Sequence, residues 1–223
     1  MKKFSINKLI SILIITIAYI FLCGCANKVC LDKYLSENRT EVYYAEKDDF
    51  YLTAYYSQKE YPYIADGIVG ELSSVLEIQI KAPNNSLDYN ICFTLSNVEY
   101  KGETSFDSVR QIYTFCVSTV KPETHQINFI LTTENTEISL IATSVKNKET
   151  LSYNLILEKF QASEKELLNS LVQNRILAAE IYLRLVFKDG EVFYYLALFD
   201  RGGNQYSYLI DSITGEILAS KQN

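Results

Sequence analysis

Ser74-Val75-Leu76-Glu77-Ile78-Gln79-Ile80-Lys81 decides the fold class of this 223-residue chain. Leu76, Ile78 and Ile80 fall on one side of an extended backbone and Glu77, Gln79 and Lys81 on the other. That period of two belongs to a half-buried antiparallel strand. The same alternation recurs over residues 40–44, 50–57, 89–96, 111–119, 126–133, 137–143 and 151–157. Turn chemistry separates these segments: Ala82-Pro83-Asn84-Asn85, Lys101-Gly102-Glu103, Lys121-Pro122-Glu123, Glu134-Asn135 and Lys146-Asn147-Lys148. Pro, Gly and Asn favour turns because each fits a backbone conformation that extended strands exclude.

Short alternating strands at such spacing predict a mainly β protein, with an antiparallel β-sandwich of immunoglobulin-like kind over residues 40–160 and a small barrel as the alternative. The chain has no tryptophan, so the buried tryptophan of true immunoglobulin domains is missing. Near residue 161 the period changes. Ser163-Glu164-Lys165-Glu166 has the form of a capping box, in which each side chain satisfies the other's backbone amide. A helix is expected there, with Leu167, Leu168, Leu171, Val172 and Ile176 as its apolar stripe. Alternation returns over residues 181–187, 192–199 and 205–211, with turns at Lys188-Asp189-Gly190-Glu191 and Arg201-Gly202-Gly203-Asn204, then a short last strand. Residues 161–223 therefore read as a small α+β unit, a helix followed by a β-meander.

Ahead of the β region, residues 1–24 have the parts of an export signal. Lys2, Lys3 and Lys8 form a basic start, and residues 9–22 carry no charge. As a helix those 14 residues would rise roughly 21 Å, short of a hydrocarbon core of about 30 Å. The run ends in Leu22-Cys23-Gly24-Cys25, which resembles the lipobox of bacterial lipoproteins: an aliphatic residue, then a small one, then cysteine. The resemblance implies a diacylglyceryl group on Cys25 and removal of the signal before it. It also implies a protein anchored on the extracytoplasmic face of the cell membrane. Residues 25–39 lack periodicity and carry charge, which predicts a tether.

The C-terminal part resembles the PepSY domain. The likeness rests on residues 195–199, the hairpin at 200–204, residues 206–211 and the ending Asp211-x-x-Thr214-Gly215-Glu216-Ile217-Leu218. It implies an extracytoplasmic module associated with binding or inhibiting peptidases, and it carries over no functional side chain.

Composition narrows the function further. Residues 1–24 contain three lysines and no acid, so losing them takes the formal charge from −6 to −9. Nucleic acid is disfavoured as a partner, because proteins that bind it present basic faces to phosphate. Beyond Cys25, the cysteines are Cys30, Cys92 and Cys116, an odd number, with a Cys92–Cys116 cross-link one possibility. His125 is the one histidine and reads as a loop residue. No serine-nucleophile elbow, phosphate loop or dinucleotide fingerprint occurs. Asp48, Asp49, Asp66 and Glu71 offer carboxylates near turns, without the ordered spacing of a calcium loop. Tyrosine is in excess at 18, and Tyr43, Tyr44, Tyr51, Tyr55, Tyr56, Tyr61 and Tyr63 make the best candidate contact surface. The expected protein is a non-enzymatic envelope lipoprotein binding a protein or peptide, with regulation of an envelope peptidase as the alternative. Cys25 is its single site residue, and neither catalytic residues, metal nor cofactor is expected.

Overall fold

The structure, a computed structural model, describes residues 29–60 and 69–223. The protein is mainly β, built on one large and largely antiparallel sheet. Its spine is β1 (Leu35–Lys47), which forms a hairpin with β2 (Phe50–Glu60) across the turn Asp48-Asp49. Both turn residues take positive φ, 50° and 63°. Short polar side chains tolerate that conformation, and paired positive φ values match the twist of a hairpin.

Two arms leave this hairpin. One continues from β2 to β3 (Leu72–Lys81), β7 (Ile112–Ser118) and the short β6 (Ser105–Asp107). The other starts where β9 (Glu137–Ser144) pairs with Tyr43 and Tyr44 of β1, and runs on to β8 (Gln126–Thr132), β4 (Asn90–Leu95) and β5 (Val98–Glu103). Both arms supply one core, with Leu52, Ile78 and Tyr113 from the first and Phe93, Phe129 and Leu140 from the second. The arms meet where Phe93 lies edge-on to Phe115, 6.3 Å between centroids. Each inward residue is the second of an alternating pair, so burying Leu76, Ile78 and Ile80 leaves Glu77, Gln79 and Lys81 outside the core.

The strand β5 corrects an expectation. Lys101-Gly102-Glu103, read as a turn, lies within it, and the chain reverses instead at Ser96-Asn97, where φ is 50° and 64°. Gly102 has a different task. A Cβ there would sit 2.8 Å from the Phe115 ring, so glycine lets the two arms close.

The second core lies on the opposite side of β1. There, after a two-stranded ribbon of β10 (Val172–Gln173) and β11 (Ile176–Leu177) that takes Val172 and Ile176 out of the expected helix, β12 (Ala179–Lys188), β13 (Glu191–Asp200), β14 (Gln205–Asp211) and β15 (Ile217–Gln222) form an antiparallel meander. Its edge strand β12 pairs in parallel with the first residues of β1, Leu35 opposite Ile181 and Arg39 opposite Arg184. Two helices, α1 (Tyr153–Ser163) and α2 (Lys165–Leu171), cover one face and bury Ile156, Leu157, Phe160 and Leu168 against Ile181, Leu183 and Leu196.

The helix therefore starts earlier than expected. Residues 151–157, read as a strand, are a two-residue link ending in the N-cap Ser152 and the start of α1, because Tyr153, Ile156, Leu157 and Phe160 recur at helical spacing. Ser152 caps α1 by accepting the Leu155 amide at 3.4 Å. Ser163 is the last residue of α1, Glu164 precedes α2 with no side-chain capping bond, and the box Ser163–Glu166 does not form.

The tether expectation is also corrected over its described part. A 3-10 turn, Leu31–Tyr34, leads into β1 at Leu35, and both Leu31 and Leu35 are buried in the second core. A Leu31→Ala variant is expected to lose about 2 kcal/mol, from lost apolar burial plus a partly collapsed cavity. Chemical denaturation checks this, and an unchanged midpoint would restore the tether.

Candidate binding cleft

The first half of β1, Ser36-Glu37-Asn38-Arg39-Thr40-Glu41, is polar yet lies between strands on both sides. Ser36, Glu37, Asn38, Thr40 and Glu41 are all buried. A register slip against β2 between Arg39 and Glu41 inserts Thr40 as a bulge. Bulges re-aim neighbouring side chains and often sit beside sites.

Glu37 is the hub of this polar segment. Arg184 on β12 donates to it through two nitrogens, with Nε at 2.9 Å from Oε1. Arg39 approaches the same carboxylate at 3.8 Å and stacks its guanidinium 4.3 Å above the Tyr55 ring. Burial pulls the Arg39 pKa down, and attraction to Glu37 only partly offsets it. For Arg184 burial also acts to lower the pKa, but the hydrogen bonds and charge of Glu37 outweigh it and leave the net shift upward. Beside this hub the Ser36 hydroxyl donates to Glu180 at 2.7 Å, and both residues are buried.

Above the hub opens a cleft of about 490 Å³. Its floor is Ser36, Glu37 and Arg184, and one wall is Lys59 and Glu60 at the end of β2. The other wall is aromatic: Tyr182 meets Phe199 edge-on at 4.9 Å, and Tyr195 is held by Gln205 and Ser207 at 3.1 Å each. Strand alternation makes this wall. Tyr182 and Arg184 alternate with Ile181, Leu183 and Leu185, which belong to the core under the helices. Glu60 Oε2 is buried with no hydrogen-bond partner among the described residues. Gly70 lies against the same carboxylate, where a Cβ would be 2.6 Å from Oε1.

The described residues read in the sequence as site candidates lie outside this cleft. Cys25 and the signal fall outside the described residues, as do Tyr61, Tyr63 and Asp66. Of the other tyrosines in the proposed contact surface, Tyr43 and Tyr56 are buried and Tyr44, Tyr51 and Tyr55 are half-buried. Tyr44 packs on Phe187 at 5.1 Å and donates to Glu46, and burial helps push its pKa to about 12. These rings are structural, and an exposed tyrosine surface does not form among the described residues. Cys30, Cys92 and Cys116 are free thiols, so the Cys92–Cys116 cross-link is absent. His125 is exposed on the loop before β8 and lines an open hollow around Glu41, whose carboxylate holds Lys121 at 3.0 Å and Lys146 at 3.1 Å.

Asp211 likewise builds a turn. It accepts the amides of Ile213 and Thr214 at 2.8 and 2.7 Å, bonds that hold its pKa below the usual carboxylate range. Gly215 follows with φ +73°, pressed against the Lys159 side chain of α1 where a Cβ would clash. Among the described residues no group of His, Cys, Asp and Glu is placed to hold a metal ion, and no helix is long and apolar enough to cross a membrane.

Tyr195 and Phe199 fall in the stretch 195–199 on which the expected PepSY likeness rests, and the other cleft residues carried no sequence motif. Lys59, Arg184, Tyr195 and Gln205 come from four separate strands, β2, β12, β13 and β14, and only the pairing of β1 with β12 brings them to one place. The available signal was a polar run, residues 36–41, running straight into the alternation of Val42-Tyr43-Tyr44.

In comparisons with known proteins, no family model, curated protein or solved structure matches the chain.

Proposed function

We propose that this chain is a non-enzymatic, lipid-anchored extracytoplasmic protein that binds a protein or peptide segment in its cleft. The leader and Leu22-Cys23-Gly24-Cys25 support the anchor on Cys25. The facing arms around the first core support a sandwich-like reading of the N-terminal part. The observation that carries the binding reading is the cleft itself, where Lys59 and Arg184 face aromatic rings. The rings suit the apolar side chains of an extended segment, and Lys59, which unlike Arg184 is not paired with Glu37, suits an acidic side chain or a terminal carboxylate on it.

Lys59→Glu reverses charge at the cleft wall without touching the Glu37–Arg184 pair. Pull-down from detergent-solubilised envelope is expected to recover a partner with the native protein and at least about tenfold less with the variant. No enriched partner, or equal recovery by both, would overturn the proposal.

The helices laid on a four-stranded meander favour a second reading, peptidase regulation through a PepSY-like module. Peptidase activity in the recovered partner, lowered by adding the purified protein, would select it.

A further inference from the structure

We infer that the helical layer is the membrane-facing side of the molecule and that the cleft is held pointing away from the bilayer. The inference rests on reading Cys25 as the lipid-bearing residue. It follows from where the chain enters the fold.

Val29, the first described residue, is already tied to the fold. Gln161 on α1 donates its side-chain amide to the Val29 carbonyl at 2.7 Å. Leu31 is buried at 4% exposure, and the Tyr34 hydroxyl accepts the Leu177 amide at 3.2 Å. The chain is thus fastened along the helices from its first described residue. Cys25 is four residues from Val29, and four extended residues span at most about 14 Å.

That leash is too short to turn the molecule over. The cleft residues Tyr182, Arg184 and Tyr195 lie on one face of the meander, and α1 and α2 cover the other. To bring the cleft to the bilayer, the leash would have to pass a helix roughly 10 Å across as well as the sheet beneath it. Beside Val29 the helices instead offer a groove of about 320 Å³, with Leu168 and Val172 among its apolar residues and Lys165 and Glu158 among its charged ones. Lys165 puts a cation on the side that meets anionic headgroups, with Glu158 lining the same groove. A mature chain of net charge −9 would otherwise be repelled by such a surface.

Two exposed alanines make the test: Ala162 on α1 and Ala219, which pairs with Leu209 and so lies on the cleft face of the meander. A protein beginning at Cys25, with Cys30→Ser, Cys92→Ser and Cys116→Ser, is coupled through Cys25 to a maleimide lipid in phosphatidylcholine–phosphatidylglycerol vesicles. A fluorophore is introduced at Ala162 or at Ala219, and the vesicles carry nitroxide headgroups. Quenching is expected to be several-fold stronger at Ala162. Equal quenching, or stronger quenching at Ala219, overturns the orientation and leaves the lipoprotein reading intact. The mass of the native protein tests the other premise: an unmodified Cys25 thiol would remove the reading on which the orientation rests.

Discussion

Glu37→Ala is expected to destabilise the protein by about 3 to 5 kcal/mol, the usual cost of breaking a buried charge cluster by removing one partner. The Glu37 side chain is 10% exposed and neutralises two guanidinium groups, Arg184 through a bidentate contact and Arg39 at 3.8 Å. Without it the two cations repel one another across paired strands, in a place where burial already disfavours the charge of Arg39. Arg39 cannot recover water by a simple rotation, because its Nε is buried without a partner and its guanidinium is stacked on Tyr55. Because the parallel pairing of β1 with β12 runs through these residues, the loss should reach both cores in one unfolding transition. Urea denaturation followed by circular dichroism measures it. The double variant Glu37→Ala, Arg184→Ala should be less damaged than the sum of its single variants, since it removes the like-charge clash. A loss under about 1 kcal/mol for Glu37→Ala would show the cluster to be a surface pair of ordinary weight.

Phe93→Ala is expected to cost about 3 to 5 kcal/mol through the other core, the range for deleting a buried aromatic ring. Phe93 is 2% exposed and sits where the two arms meet. It stacks on Tyr100 at 5.2 Å, tilts against Phe129 at 5.0 Å and meets Phe115 edge-on at 6.3 Å. The three contacts come from β5, β8 and β7, so a cavity here lies between elements that cannot collapse independently. Thermal unfolding should move down markedly and remain cooperative. Phe93→Leu, which keeps most of the volume, should recover much of the loss. Equal losses from Phe93→Leu and Phe93→Ala would mean that ring geometry, and not filled volume, holds the arms together.

Most β elements were legible because their two faces meet different surroundings. In β3 the core lies on one side only, so alternation survives in the sequence as Leu76, Ile78 and Ile80 against Glu77, Gln79 and Lys81. The meander after α2 was equally clear, since Asp189-Gly190 and Gly203 supply the positive φ its hairpins require. The start of α1 was missed because Leu151, Tyr153, Leu155 and Leu157 alternate by accident over seven residues, while the helical stripe emerges only by Phe160. The cleft was missed because Lys59, Arg184 and Gln205 are far apart in the chain and individually ordinary.

By itself the sequence determined a β-built chain with hairpin turns and a late helical stripe, and raised the expectation of an export leader over residues 1–24, because periodicity, turn chemistry and uncharged length are local properties. Tertiary structure alone decided that residues 35–39 are the start of a central strand and not a tether. Leu35-Ser36-Glu37-Asn38-Arg39 has the composition of exposed chain, and nothing within it supplies the energy to bury it. That energy comes from β2 on one edge, β12 on the other and the guanidinium of Arg184 on the Glu37 carboxylate, and these exist only once distant segments have met.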